Sequence, residues 1–400
     1  MRTAVVVGAG VGGLAVAGAL SRSDWQVTLL ERDTRLRGGG AALLIWPNGV
    51  AALRALGLGR GLDAIAFPTT ASGIRRPDGR WLVEAQAATG PADQPVVVHT
   101  DDLHDTLMAG LGDRLEIRTG TEVTGIRTAP ADRPAITTGR YTFEADLVVA
   151  ADGADSLLRR RAVPGASLVP AGFTTWRAVI PWFRAPKLPD TVPPAGEMLG
   201  TGRRFLHATL GERGSAGGSS RGGIYWAATA PGAARPESSA TQLSLLRRWF
   251  ADWQSPVREL LAATEPEDLV QRSGQVLRPL PPRFDKAVGG GGIALLGDAA
   301  HVATSNLTQG ACLAFEDAAT LQALVAGARP GPELVAALEA FTRVRRPRVA
   351  RVARSSHRLG RVMQAQGRLT IRARDAALGA LAPRLLGRAR DTAADWQPPS

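Results

Sequence analysis

Cysteine is nearly absent from this chain of 400 residues, and Cys312 is the only one. One thiol excludes a disulfide within the chain and a metal site built from several cysteines. We expect Cys312 to be a small buried hydrophobic residue. The five histidines show no zinc-type spacing, so no metal is expected. No run of about 18 uncharged apolar residues occurs, so no membrane span is expected, and the N-terminal residues lack signal-peptide features, which favours a cytoplasmic protein.

Lysine is also scarce, although the formal net charge is +12. Lys187 and Lys286 are the only lysines, and the other basic residues are arginines spread along the whole length. This spread indicates compositional bias rather than a patch built for nucleic acid, so no nucleic-acid partner is expected. The densest group of arginines, at 343–354, falls on more than one face of a helix, as on a solvated surface helix. A monomer and a homodimer both stay open.

The chain begins with a strand, a glycine-rich turn, a helix and a second strand, ending at residue 31. This βαβ unit predicts a parallel sheet with the helix over one face. From 164 to 275, short aromatic and β-branched runs alternate with Pro and Gly, which predicts an antiparallel sheet. A buried parallel-type strand returns at 293–297, so the nucleotide-binding domain is predicted to be discontinuous.

The glycine-rich turn is a G-x-G-x-x-G fingerprint formed by Gly8, Gly10 and Gly13. Gly8 allows a tight turn, Gly10 allows close approach of a pyrophosphate, and Gly13 allows the helix to pack closely on the strand. The N-terminus of the helix supplies free N–H groups for the phosphates. Glu31 ends the second strand, where a carboxylate would accept hydrogen bonds from ribose hydroxyls. The pattern predicts dinucleotide binding but does not separate FAD from NAD.

Two later segments, 146–159 and 293–317, each combine an apolar strand, an acid beside a glycine and a following helix. Asp298 would lie at the carboxyl end of its strand, where it could accept a hydrogen bond from a ribityl hydroxyl. Gly310 would let backbone N–H groups approach a flavin ring or a phosphate. The alternative is that both are ordinary strand–turn–helix connections in which the aspartate caps a helix.

Taken in this order, the three motifs resemble those of the group A flavoprotein monooxygenases, the para-hydroxybenzoate hydroxylase-like aromatic hydroxylases. The resemblance covers residues 1 to about 360. It implies an α/β fold with a discontinuous Rossmann-type FAD-binding domain, an inserted antiparallel-sheet substrate domain and C-terminal helices. We place the FAD-binding domain at 1–70, 96–162 and 274–330, the β-rich substrate domain at 71–95 and 163–273, and the helical segment at 331–400.

The resemblance also assigns cofactor contacts, position by position. Glu31 would bind the adenosine ribose, and Val123 would border the adenine. Arg37 matches an arginine near the FAD pyrophosphate, and Asp152 lies in a segment linked to both FAD and the nicotinamide cofactor. Asp298 would bind the ribityl chain. The predicted cofactor-binding residues are Gly8, Gly10, Gly12, Gly13, Glu31, Arg32, Arg37, Val123, Asp152, Gly153, Gly297, Asp298, Gln309, Gly310 and Ala311.

The chain departs from the family pattern near the predicted flavin ring. The family usually has prolines where Val302 and Ser305 stand and a glycine where Thr308 stands, all on the reactive side of the flavin. Thr100 replaces an arginine that often contacts FAD. Asn48 ends a segment that the family places near the ring.

The activity that the resemblance implies is that of an FAD-dependent monooxygenase. Hydride from NADH or NADPH would reduce FAD, O₂ would add at flavin C4a, and the hydroperoxide would transfer one oxygen atom to a small aromatic or polycyclic metabolite, as in secondary metabolism. In such enzymes the cofactor carries the chemistry, and the protein orients it and shields it from water. No second fingerprint for a nicotinamide cofactor is present, which fits the transient docking known in this family.

Three residues of the β-rich segment are candidates for substrate contact and catalysis. Arg177 would bind an acidic substrate or lie in a surface ion pair. His207 or Tyr225 could deprotonate a phenol. Because strand side chains alternate in direction, Phe205 and His207 should share one face of a sheet, whereas Trp176 and Arg177 should point in opposite directions.

Other activities stay open on the same fold. Epoxidation and Baeyer–Villiger oxidation use the same flavin chemistry. Flavin halogenases carry a W-x-W-x-I-P signature, whereas residues 176–181 here contain one tryptophan. A further alternative is an inactive flavin- or nucleotide-binding regulator, which the unusual Val302, Ser305 and Thr308 favour.

Overall fold

The computed structural model describes residues 1–36, 38–87, 94–129, 132–211, 221–380 and 395–399. The strands are β1 (Arg2–Val7), β2 (Trp25–Leu30), β3 (Ala42–Ile45), β4 (Phe67–Pro68), β5 (Ala71–Arg75), β6 (Trp81–Ala87), β7 (Val96–His99), β8 (Leu115–Arg118), β9 (Val123–Arg127), β10 (Ala135–Thr138), β11 (Thr142–Glu144), β12 (Leu147–Ala150), β13 (Ser167–Pro181), β14 (Ala195–Leu199), β15 (Arg204–Thr209), β16 (Gly223–Pro231), β17 (Val270–Arg278), β18 (Asp285–Val288) and β19 (Gly291–Leu295). The helices are α1 (Val11–Ser21), α2 (Pro47–Ala55), α3 (Gly59–Ile65), α4 (Thr100–Ala109), α5 (Leu157–Ala162), α6 (Ser239–Trp249), α7 (Val257–Ala263), α8 (Asp298–His301), α9 (Gly310–Val325) and α10 (Pro332–Met363). Short 3-10 helices span Pro266–Asp268 and Ser305–Leu307, and residues 368–380 are also helical.

A six-stranded sheet forms the nucleotide-binding side of the molecule, in the order β18-β19-β12-β1-β2-β8. All neighbours pair in parallel except β18, which pairs antiparallel with β19 at the edge. The central strands are continuous apolar runs because parallel strands are covered on both faces. Accordingly, every residue from Leu147 to Ala150 is buried. The carboxyl ends of β1, β12 and β19 therefore meet at one edge of the sheet.

A seven-stranded, largely antiparallel sheet lies beside it, in the order β17-β13-β16-β15-β14-β5-β6. Its strands alternate between two buried faces. On one face, Trp176, Phe205 and Trp226 pack under α6 and α7 in an apolar cluster. On the other face, Tyr225 and its neighbours pack toward the three-stranded sheet β3-β7-β4. We call this second side the inner face, and it is the side turned toward the segment that leads to α2.

The basic helix α10 is not the solvated surface helix that the arginine pattern predicts. Arg345 is completely buried, and Arg348 is largely buried. The reason is that two acidic residues of α9, Glu316 and Asp317, are also buried and form ion pairs with these arginines. The prediction for 343–354 is therefore wrong at these two positions. Cys312 is a buried free thiol, as predicted.

The predicted fold class is confirmed by these two sheets with helices at the C-terminal side. A bilayer crossing needs a long apolar helix, and the described part of the chain contains none that meets both conditions. The segment 71–87 contributes β5 and β6 to the seven-stranded sheet. The strands between residues 96 and 162 belong to the other sheets. The exact domain bounds stay a prediction.

Candidate functional site

Three predicted glycines turn the chain sharply at the carboxyl ends of the parallel strands. Gly8 follows β1 with φ of 103°, Gly153 follows β12 with φ of 78°, and Gly297 follows β19 with φ of 59°. These left-handed conformations favour glycine because any Cβ would be strained there. All three turns lie at the same edge of the six-stranded sheet, so the sequence motifs converge in space.

The other glycines of the motifs either allow close packing of α1 or leave space for a ligand at the start of a helix. A Cβ on Gly13 would lie 1.9 Å from the carbonyl oxygen of Gly8, and one on Gly12 would lie 2.8 Å from Leu296 Cδ2. Close contact of α1 with its surroundings thus requires these two glycines. Apart from its chain neighbours and its own helix, no heavy atom of the described residues lies within 4 Å of a Cβ built on Gly10 or on Gly310. The N-termini of α1 and α9 therefore face open space, where a phosphate or a flavin could approach.

Glu31 lies where the fingerprint requires an acid. Its carboxylate accepts hydrogen bonds from the backbone N–H groups of Ala9, at 2.7 Å, and Asp33, at 3.0 Å. The N–H of Thr121 donates to the Glu31 carbonyl oxygen at 2.8 Å, which brings the loop before β9 and Val123 beside the acid. Arg32 is exposed next to it, and Arg37 lies outside the described residues.

Asp152 has an unsatisfied carboxylate oxygen at the same edge. Its Oδ2 accepts a hydrogen bond from the N–H of Leu158 at 3.2 Å, whereas its buried Oδ1 has no hydrogen-bond partner among the residues that the structure describes. Burial raises the pKa of this carboxyl group. Arg159 joins this turn to α8 by donating to the carbonyl oxygens of Ala154, at 2.8 Å, and Ala299, at 3.1 Å. An orphaned buried oxygen beside an open edge is what a bound polar ligand would satisfy.

Asp298 begins α8 directly after Gly297 at this edge, and α9 begins at Gly310. Asp298 is exposed, although the residues around it are buried. Gln309, directly before α9, is buried, and its side-chain oxygen accepts a hydrogen bond from Asn48 Nδ2 at 2.9 Å. Gly310 is exposed and Ala311 is partly buried. The structure thus brings the predicted ring-side segments 43–48 and 309–311 into direct contact.

A network of buried charges, which the sequence interpretation missed, supports these segments from behind. Asp317 Oδ2 accepts a hydrogen bond from Gly297 N–H at 3.0 Å and lies 2.6 Å from His301 Nε2, so it holds both ends of α8. Arg345 Nε donates to Asp317 Oδ1 at 2.7 Å. Burial alone would raise the pKa of Asp317, but His301 and Arg345 lower it to about 2.

Glu316 connects the same network to the ring-side segment. It accepts hydrogen bonds from Arg345 at 2.6 Å, from Arg348 at 2.5 Å and from Asn48 at 2.7 Å. An acid pair in the middle of an otherwise apolar helix was the signal in the sequence, because buried carboxylates need cationic partners.

The three candidates for substrate contact do not lie together. His207 lies on the side of the sheet that carries Phe205, with its Nε2 3.1 Å from the carbonyl oxygen of Pro193. Burial lowers the pKa of His207 to about 4, so the ring is neutral near pH 7. Arg177 and Tyr225 lie on the inner face instead. The structure therefore separates His207 from the side on which the ring-side segment lies.

Arg177 and Tyr225 lie diagonally across two paired strands. Arg177 is opposite Ala227, and Tyr225 is opposite Val179. Burial raises the pKa of Tyr225, although the charge of Arg177 opposes this shift. The Nε atom of Arg177 is buried and has no hydrogen-bond partner in the described part of the chain.

A second unsatisfied group lies on the same face. Thr229, two residues beyond Ala227 on β16, is buried, and none of the described residues forms a hydrogen bond with its hydroxyl. Leu44, Leu206 and Ala227 are only partly buried, although they pack against the apolar cluster between the two sheets. Two unpaired polar groups beside incompletely covered apolar residues have the character of a ligand site.

The positions that depart from the family pattern have partners of their own. The Thr100 hydroxyl accepts a hydrogen bond from Ala41 N–H at 2.9 Å and so fixes the end of the glycine run before β3. The carbonyl oxygen of Val302 accepts from Leu277 N–H at 2.9 Å. Ser305 begins a 3-10 helix that ends directly before Thr308.

A cleft of about 500 Å³ runs beside the glycine run, and sequence reasoning did not single it out. It is lined by Leu36, Gly38, Gly39, Gly40, Asp101, His104, Asp105 and Arg221. Arg221 forms an ion pair with the buried Asp102 and a weaker one with Asp105, at 3.3 Å. This pair fixes the start of β16 to the first turn of α4.

The sequence is similar to a known protein family and to known monooxygenases. A family model described as FAD binding domain matches residues 1–356. Aurachin C monooxygenase/isomerase of Stigmatella aurantiaca is 30% identical over 369 residues, which are 90% of this chain and 90% of that protein. The 3-amino-4-hydroxybenzoate 2-monooxygenase of Streptomyces cremeus is 32% identical over 364 residues, covering 88% of this chain and 86% of that protein.

A solved structure has the same fold over nearly the whole length. The crystal structure of Klebsiella pneumoniae HpxO complexed with FAD and uric acid matches with a TM-score of 0.83 and 26% identity. The match covers 98% of this chain and 96% of that chain.

Proposed function

The chain belongs to the FAD binding domain family and is an FAD-dependent monooxygenase, and we propose that it hydroxylates a small acidic aromatic compound on the inner face of the seven-stranded sheet. When bound, FAD supplies the redox chemistry, with hydride from NADH or NADPH and oxygen from O₂. The overall reaction converts substrate, O₂, NAD(P)H and a proton into hydroxylated product, water and NAD(P)⁺. The residues of the chain bind and orient the two reactants and exclude water.

The open edge of the six-stranded sheet fits FAD. The orphaned oxygen of Asp152 and the open space at Gly10 and Gly310 support this assignment. Glu31 would hold the adenosine ribose, and Asp298 would hold the ribityl chain. The residues proposed to bind FAD are Gly8, Gly10, Gly12, Gly13, Glu31, Arg32, Val123, Asp152, Gly153, Gly297, Asp298, Gln309, Gly310 and Ala311; Arg37 stays a prediction from the sequence.

The buried Nε of Arg177, which has no partner among the described residues, is the observation that carries the choice of substrate class. No ion pair joins Arg177 to an acid among the described residues, and its Nε lacks a partner. A guanidinium in this position favours a carboxylate or a similar planar anion. Thr229, with its unpaired hydroxyl, would donate a further hydrogen bond. The relatives named for 3-amino-4-hydroxybenzoate and uric acid support an acidic aromatic substrate.

Tyr225 and the partly buried apolar residues would bind the aromatic ring of the substrate. Because burial raises its pKa, Tyr225 keeps its proton near neutral pH and acts as a hydrogen-bond donor rather than as a base. Leu44, Leu206 and Ala227 provide apolar surface around it. We do not retain His207 as a catalytic candidate because it lies on the helix-covered face. We also propose the division into FAD-binding, substrate and helical parts given by the sequence.

The first experiment is an absorption spectrum of the purified protein, followed by NADH and NADPH oxidation with pairs of aromatic acids and their neutral amides. We expect a flavin spectrum and an oxidation rate that the acids stimulate far more than the amides. Stimulation by the amides alone would contradict the acidic substrate, and oxidation of alkenes or ketones alone would favour epoxidation or Baeyer–Villiger chemistry. A protein that stays colourless in the presence of FAD would contradict the whole proposal.

A further inference from the structure

The turn between α8 and α9 carries Val302, Ser305 and Thr308, where the family resemblance implies two prolines and a glycine. Proline restricts the backbone, and glycine adopts left-handed conformations without strain. Because proline and glycine are absent from these three positions, other contacts must keep the turn in one conformation. The structure shows these restraints as side-chain contacts on several sides.

Helix α10 and strand β15 hold the middle of the turn. Asn306 is buried, and its Oδ1 accepts a hydrogen bond from Arg204 at 2.9 Å. Its Nδ2 donates to the carbonyl oxygen of Ser356 at 3.3 Å, and the hydroxyls of Ser356 and Thr304 lie 2.9 Å apart. A Cβ on Gly360 would lie 2.1 Å from Asn306 Nδ2, so α10 has a glycine at the point of contact.

Thr308 ends the turn in an unusual backbone conformation. Its φ of 51° and ψ of 30° are left-handed. A β-branched residue rarely adopts this conformation, because its side chain clashes with the backbone. Such strain persists only where the surroundings hold it, and it is concentrated at functional sites. The Thr308 hydroxyl donates to the carbonyl oxygen of Leu307 at 2.8 Å and accepts a hydrogen bond from the indole Nε1–H of Trp46 at 2.7 Å.

Trp46 connects this turn to the other ring-side segment. It directly precedes α2, and its backbone N–H donates to Cys312 Sγ at 3.4 Å, so α9 fixes its position. The side chain is partly buried. The Trp46–Thr308 hydrogen bond therefore joins the segment that ends at Asn48 to the turn before Gly310.

We propose that the Trp46–Thr308 hydrogen bond is a clasp that fixes the turn 305–310 against the flavin ring, and that Thr308 is a positioning residue for the oxygenation. This inference rests on the proposed function. The clasp restrains the backbone at positions where this chain has neither proline nor, at Thr308, glycine. When the turn loosens, the ring and the substrate lose their relative orientation. NAD(P)H, a proton and O₂ then yield NAD(P)⁺ and H₂O₂ instead of NAD(P)⁺, water and hydroxylated substrate.

Four variants test the clasp. Thr308→Gly keeps the left-handed backbone but removes the hydroxyl, and Trp46→Phe removes the indole N–H together with the five-membered ring that carries it. Thr308→Ser is the conservative rescue because it retains the hydroxyl. The double variant Trp46→Phe/Thr308→Gly measures the coupling. Trp182→Phe, at an exposed tryptophan, controls for the loss of an indole.

The measurements are the dissociation constant of FAD with the apoprotein, the absorption spectrum of the bound flavin and the share of NAD(P)H oxidation that ends as H₂O₂. We expect Thr308→Gly and Trp46→Phe each to weaken FAD binding about fivefold, as for the loss of one hydrogen bond, with a shifted spectrum and more H₂O₂. The double variant should bind FAD as tightly as either single variant and produce no larger share of H₂O₂. Thr308→Ser and Trp182→Phe should behave like the parent protein.

Additive effects in the double variant, or an equal loss in Thr308→Ser, would overturn the clasp. Unchanged spectra and H₂O₂ yields in Thr308→Gly would also overturn it, even with a fully active parent protein. Thermal unfolding separates a folding defect from a positioning defect, because Thr308→Gly relieves strain and should not lower the melting temperature. If the parent protein binds no FAD, both the proposed function and the clasp are wrong. If the parent protein binds FAD but the variants behave like it, only the clasp is wrong.

Discussion

At the scale of single residues, the unpaired polar groups of the inner face are the most informative. Arg177 Nε and the Thr229 hydroxyl are two of the buried polar atoms that lack a partner among the described residues, and both lie on the inner face, where a polar ligand could satisfy them. Ala227, which has a small side chain, lies directly opposite Arg177 in the paired strand. We therefore expect the positive charge of Arg177 to select an anionic substrate at this site.

The matching prediction concerns Arg177→Met. Loss of a hydrogen bond to a charged group costs about 1.5–3 kcal/mol, so KM for an acidic aromatic substrate should rise about 10- to 100-fold. KM for its neutral amide should change little. For the acid, KM of Arg177→Lys should lie between the KM of the parent protein and that of Arg177→Met. Steady-state kinetics with both compounds measure the effect. Arg54→Met, at an exposed ion pair, is the control; an equal rise of KM for acid and amide would contradict anion recognition by Arg177.

Residues whose role depends on local geometry could be predicted from the sequence, and others could not. Gly8 and Gly13 follow from a motif in which strand, turn and helix are adjacent along the chain. The alternation of side chains correctly placed Phe205 with His207 and opposed Trp176 to Arg177. However, alternation does not say which face of a sheet helices will cover, because that depends on how distant elements pack. For this reason the sequence alone does not exclude His207 from the substrate site.

At the scale of elements, the pairing of α9 with α10 supports the cofactor edge. Glu316 and Asp317 of α9 and Arg345 of α10 are completely buried and joined by short hydrogen bonds. Sequence reasoning recognised the arginine cluster but not its burial, since the acidic partners belong to another helix. Removing one member of such a pair leaves an uncompensated charge in the interior.

We therefore predict that Asp317→Asn lowers the free energy of unfolding by about 3–5 kcal/mol. Because the folded pKa of Asp317 is about 2, below its ordinary value of 3.8, the stabilisation is complete above about pH 4 and is lost as pH falls toward 2. The variant should lack this part of the acid sensitivity. Denaturant titrations between pH 2 and pH 7 measure both effects. Asp63→Asn, in the exposed pair with Arg54, should cost less than about 1 kcal/mol; a similar loss in both variants would refute a special role of the buried network.

At the scale of the whole molecule, one ligand is expected to join parts that are distant in sequence. Glu31 and Val123 would meet the adenosine half of FAD, whereas Asp298 and Gly310 would meet the flavin half. The sequence predicted each segment separately, and their convergence follows from the parallel order of β1, β12 and β19. A ligand that binds only the folded state stabilises it by mass action, by about 2.7 kcal/mol at a concentration 100 times its dissociation constant.

This argument predicts that FAD raises the melting temperature of the apoprotein and that FMN, which lacks the adenosine half, raises it much less at the same concentration. Glu31→Gln should reduce the advantage of FAD over FMN, because the carboxylate that accepts hydrogen bonds from the ribose is lost. Glu144→Gln, at an exposed ion pair, provides the control for removing an acid. Scanning calorimetry over a series of ligand concentrations gives both affinities. Equal stabilisation by FAD and FMN in the parent protein would mean that the first βαβ unit does not bind the adenosine half, and the assignment of Glu31 would then be wrong.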